Sequence, residues 1–122
     1  MAATISDATF DAALASIATN GAVVHITSAA CLTFANVTTY TLGNKTGCTY
    51  TGPADGTSGR KTTLDAITSG SVTASGTATH FAITNGTTLV PVCQQLNATQ
   101  VVTSGNTFTL TAATIQFSDP VA

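Results

Sequence analysis

The sequence predicts a mainly β protein: an antiparallel β-sandwich of about seven to eight short strands with one N-terminal α-helix. Three observations carry this. Apolar residues recur at helical spacing only near the start, the period falls to two afterwards, and turn-forming residues then return about every ten positions. A length of 122 residues fits a single β-rich domain spanning 1–122, in which roughly two thirds of the unfolded surface can be buried. A small barrel is the alternative closure.

The helix is expected over about 6–19. Ser6 is placed to cap it, Asp7 meets the positive end of its dipole, and Phe10, Ala13, Leu14 and Ile17 share one face. Ile5 and Phe10 occupy staple positions, and Gly21 of "NG" is expected to close the helix in the left-handed region.

Strands are expected from about 22 to 117. "AVVHIT" (22–27) and "VTTYTL" (37–42) read as strands, while "SAACLTFAN" between them is ambiguous. Residues 43–59 lack periodicity and read as one long loop. "RKTTLDAI" alternates as a strand, "TSG" at 68–70 reads as a turn, and "SVTASGTATHFAIT" follows. "NG" at 85–86 suggests a two-residue hairpin turn pairing Thr84 with Thr87 and Phe81 with Val90. Pro91 demotes "TTLVPV" to an edge strand or ends it near Val90. In "NTFTLTAATIQF" the apolar parity switches after Ala112, which points to a bulge in preference to two strands. "TSG" recurs at 57, 68 and 103 as repeated turn chemistry.

Composition restricts function. Charged residues make up 7% of the chain, against about 25% in ordinary domains, and there is no Glu or Trp. With three cations, no basic cluster exists to hold nucleic acid. Thr (27) and Ala (20) take the place of charge, giving an outer surface of hydroxyls. A net charge of −2 leaves little repulsion between copies, which favours self-association or docking on a larger assembly. No stretch approaches the length of a membrane span, and the opening "MAATISDATF" lacks the basic start and apolar run of a signal peptide.

Catalytic and metal signatures are weak. "GPADGTSGRKT" (52–62) mimics a phosphate loop, but Arg60 separates Gly59 from Lys61 and a strand follows where a helix is needed. His25 and His80 fall on strands as sheet histidines, and no ligand pair has metal spacing. Asp7 and Asp11 are read as dipole compensation, and Tyr40 with Tyr50 makes a poor sugar platform without Trp. Cys31, Cys48 and Cys93 are odd in number and widely spaced, so free thiols are expected, although one pair could meet in the fold. The sequons at Asn36, Asn44, Asn85 and Asn97 carry no glycan without export. No enzyme activity, metal or cofactor is expected.

"ISDATFDAALASIATNGAVVHI", "TYTLGNKTG", "PADGTSGRKTTLDAITSGSVTASGTATHFAITNGTTL" and "QVVTSGNTFTL" together resemble a family of small virion structural proteins of tailed bacteriophages. The likeness runs over roughly residues 5–117 and departs from the usual pattern near the cysteines. It implies a capsid decoration or cement protein, made in the host bacterial cytoplasm and located in the virion. Such a protein would bind the major capsid protein and bridge capsid subunits as a homo-oligomer, a trimer favoured. Head-fibre, neck or tail placement, or a host-surface or glycan-binding module, are the alternatives. Lys45, Tyr50, Arg60 and Lys61 are the interface residues expected on this reading.

Overall fold

The computed structural model describes residues 6–31, 33–56, 59–88 and 90–117. In chain order these form α1 (Asp7–Thr19), β1 (Val23–Thr27), α2 (Phe34–Tyr40), β2 (Thr41–Lys45), β3 (Tyr50–Asp55), β4 (Arg60–Leu64), β5 (Ile67–Val72), β6 (Gly76–Thr84), β7 (Val92–Val102), β8 (Thr107–Leu110) and β9 (Ala113–Phe117). All pairings are antiparallel, in a six-stranded sheet ordered β7-β6-β1-β2-β5-β8 and a three-stranded sheet ordered β3-β4-β9. The expected mainly β, sandwich-like class is observed, with nine strands and a second helix among the described residues.

The register sorts the side chains by face. Val24 lies opposite Ile83 and Ile26 opposite Phe81, and these four point inward to meet Leu64 and Ile115 of the small sheet in one apolar core. Phe10, Leu14 and Ile17 of α1 close the core on that side, with the Phe10 and Phe117 rings stacked at 6.1 Å. His25, Ala82 and Cys93, one residue out of phase, face the other way, where α2 packs Val37 with Ala82 and Cys93 and sets Phe34 edge-on to His25. Three buried threonines are tolerated because each hydroxyl donates to a backbone carbonyl: Thr27 to Ala29 (2.8 Å), Thr62 to Thr51 (3.1 Å) and Thr84 to Val23 (3.0 Å).

Helix α1 starts as expected, the Ser6 hydroxyl accepting the Thr9 N–H at 3.3 Å. Ala13 is exposed, and the Ile5 half of the staple lies outside the described residues. Gly21 does not adopt a positive φ, because the Asn20 backbone and side-chain amides both donate to the Ser16 carbonyl at 2.9 Å and end the helix first. Gly21 is needed for space: a Cβ there would collide with the Tyr50 hydroxyl, the Ile17 carbonyl and Ile83.

Five other expectations are corrected. "VTTYTL" is mostly helix: Thr33 caps α2, Thr38 and Thr39 donate back to the Phe34 and Ala35 carbonyls, and burial of Val37 outweighs strand propensity. Residues 43–59 are not one loop, since they supply the end of β2 and all of β3. As an edge strand, β3 accommodates Pro53 where the ladder skips from Thr51 to Ala54.

The turn expected at 68–70 is the interior of β5, where Gly70 makes room for the Phe108 ring. Phe81 faces Gln94 and not Val90. The Asn85 carbonyl side chain accepts the Thr87 and Thr88 N–H groups at 3.0 and 2.9 Å, opening a longer connection, and pairing resumes only past Pro91. Finally, "NTFTLTAATIQF" is two strands, β8 and β9, because the chain crosses from one sheet to the other at Thr111 and Ala112. The parity switch marks that crossing.

Candidate interaction surface

The four expected interface residues do not converge. Arg60 and Lys61 are successive on β4 and therefore face opposite sides of the small sheet. Arg60 points toward α1, with Nε 2.9 Å from Asp11 Oδ1 and Nη1 2.7 Å from Asp55 Oδ1. Hydrogen bonds to Asp11 and then Asp55 push its pKa further up, so the guanidinium stays charged and ties the helix to both strands. Tyr50 lies on the same inner side, its hydroxyl donating to the Gly21 carbonyl at 2.7 Å, and burial raises its pKa. Lys45 donates to Ser69 Oγ at 3.2 Å. Lys61 sits on the outer face between Ala54 and Gln116, without an ion pair among the described residues.

The other titratable side chains are engaged locally. His25 Nδ1 lies 2.9 Å from Thr41 Oγ1 with its ring edge-on to Phe34, and burial lowers its pKa. His80 Nδ1 lies 2.8 Å from Thr79 Oγ1. Asp65 accepts from Thr49 at 2.7 Å and Thr51 at 2.6 Å, bonds that hold its carboxyl below the usual range. No group of three His, Cys, Asp or Glu among the described residues could hold a metal ion.

A different surface stands out. The six-stranded sheet curls until its edges approach each other, Gln100 Nε2 of β7 lying 3.5 Å from the Thr109 carbonyl of β8. Beside that contact runs a groove of about 640 Å³, with Ile26, Phe81 and Leu110 at its floor. Amides of Gln94, Gln95 and Asn97 line one wall, and hydroxyls of Thr111 and Thr114 line the other. Among the described residues its lining contains no ionisable side chain.

The wall strand β7 runs 11 residues, "VCQQLNATQVV", with no charge, Pro or Gly, and Val101 on it is 81% exposed. Sheet edges are ordinarily blunted by Lys, Pro, a short strand or a bulge; β7 has no Lys or Pro and is long, and its one interruption is a bulge between Gln95 and Gln100, where the ladder to β6 slips.

No family model, curated protein or solved structure matches the chain. The fold and the chemistry of the surface therefore carry the functional reading. Sequence reasoning missed β7 because its apolar residues, Val92, Leu96, Val101 and Val102, follow neither period. The one usable signal was Pro91, which marks the start of the strand.

Proposed function

We infer that the chain is a non-catalytic structural component of a tailed-phage particle, a decoration or cement protein that docks on the major capsid protein and on copies of itself. What carries this reading is the long, uncharged edge β7 beside a groove whose described lining holds no ionisable group. An edge of this kind takes a further strand by backbone hydrogen bonding, whether from a shell protein or from a neighbouring subunit. Side chains dominated by Thr, Ala and Val lose little rotamer entropy when an interface orders them, and many copies on a lattice turn weak contacts into firm attachment. Lys61, on the outer face of the small sheet, offers a second contact for an acidic patch. A trimer suits the three-fold junctions of a shell; a head-fibre, neck or tail position would use the same edge.

The test is sedimentation of purified particles of the phage that encodes the chain, followed by quantitative mass spectrometry. The expected result is a fixed stoichiometry to the shell protein that falls when Thr99 and Val101, both exposed on β7, are replaced by Lys. Particles that contain none of the chain would overturn the reading.

A further inference from the structure

We propose that Cys31 and Cys93 form an intramolecular disulfide when the protein meets a small-molecule disulfide, joining the segment before α2 to the start of β7. All three cysteines are free thiols in the structure, and the fold chooses among the possible pairings. Cys93 is the second residue of β7 and lies opposite Ala82 of β6. On that outer face Cys31, Val37 and Ala82 form a buried cluster against which Cys93 packs. The Cys31 N–H donates to Cys93 Sγ at 3.1 Å, so the sulfur of one residue rests on the backbone of the other. Closing the bond gives up the weak contact from Cys31 Sγ to the Ala29 carbonyl at 3.3 Å. Cys48 belongs to the other side of the sheet: it packs against the main core, its thiol donating to the Lys45 carbonyl.

Cys31 is fully buried and Cys93 partly exposed, which fixes the order of steps. The Cys93 thiolate attacks one sulfur of the oxidant, forming a mixed disulfide and expelling one thiolate. The Cys31 thiolate then attacks the Cys93 sulfur, forming the internal bond and expelling the second thiolate. Two electrons pass to the oxidant, and the two protons lost by the cysteines are taken up by the expelled thiolates. The bond closes a loop across a sequence separation of 62 residues, which restricts the unfolded chain and secures the anchor end of the exposed edge. This inference is independent of the particle assignment, since it rests only on the outer-face cluster.

The experiment exposes the folded, purified chain to oxidised glutathione and follows intact mass, free thiols and thermal melting. The expected product has lost the mass of two hydrogens, retains only the Cys48 thiol of the original three, and yields a proteolytic peptide joining Cys31 to Cys93. Its melting temperature rises by on the order of 10 °C. Cys48→Ser oxidises in the same way, whereas Cys93→Ser stops without an internal bond. A cross-link to Cys48, stable glutathione adducts with no internal bond, or oxidation seen only in denaturant would each overturn the proposal.

Discussion

Adding one methyl group at Gly70 tests whether β5 is the strand described here. Gly70 sits opposite Phe108 in the β5–β8 ladder and has no positive φ, so its backbone places no demand for glycine. The demand is steric. A Cβ at Gly70 would overlap the Phe108 ring, lying 2.6 Å from Cδ1 and closer still to Cε1 and Cζ, against 3.4–4 Å for ordinary contact. Phe108 is 2% exposed within the main core, so the ring can yield only by moving its neighbours. Overpacking of this kind costs about 1–3 kcal/mol, which lowers the melting temperature of a domain this size by roughly 4–12 °C.

The assay is a double-mutant cycle, with thermal and urea melts of Gly70→Ala, Phe108→Leu and the pair. Leucine lacks the distal ring atoms, so Gly70→Ala should cost close to nothing in that background, a coupling of about 1–3 kcal/mol. An equal cost in both backgrounds would refute the reasoning and return residues 68–70 to a turn that needs glycine for its backbone.

Other outcomes follow from named contacts. Arg60→Ala releases Asp11 and Asp55 and should speed amide exchange in α1, while Lys61→Ala leaves α1 protection unchanged; equal effects would contradict the internal clamp. Tyr50→Phe leaves the Gly21 carbonyl without its 2.7 Å donor and should cost about 0.5–1.5 kcal/mol in a urea melt. Leu14→Ala, at a side chain 1% exposed, should cost roughly 3 kcal/mol and loosen α1 from the sheets. Burial lowers the pKa of folded His25, so the unfolded chain binds the proton more readily. Stability is therefore full above the unfolded value near 6.5 and declines as pH falls through it toward the folded pKa. Melting temperatures between about pH 7.5 and 5 should show that decline, and His25→Gln should flatten it.

Legibility in the sequence tracked how local the deciding forces are. Helix α1 was readable because its cap and its apolar face lie within one segment, and "RKTTLDAI" because Thr62 and Leu64 alternate against Lys61 and Thr63. Helix α2 was not, since the same β-branched residues that suggest a strand are held helical by burial of Val37 against Ala82, a partner distant in the chain, beside Cys31. Strand β3 was hidden by Gly52 and Pro53, tolerated only because the strand is an edge. Gly21 and Gly70 were recognised as special for the wrong reason: both are small for the sake of a neighbour and not for a turn. Of the expected interface residues, the sequence could place Arg60 and Lys61 side by side, but only alternation across β4 assigns one to an internal clamp and the other to the outer face. The uncharged edge β7 is built from residues without a period, so its exposure depends on sheet order, which no local pattern encodes.

Imaging the assembled particle of the encoding phage at a resolution that traces the chain is the most direct measurement of the proposed structural role. The account predicts this fold bound on the outer shell in repeating copies, with β7 extended by a strand from a shell protein or an adjacent copy. A complete shell with no density for the chain, or the chain present with β7 facing solvent in every copy, would contradict it.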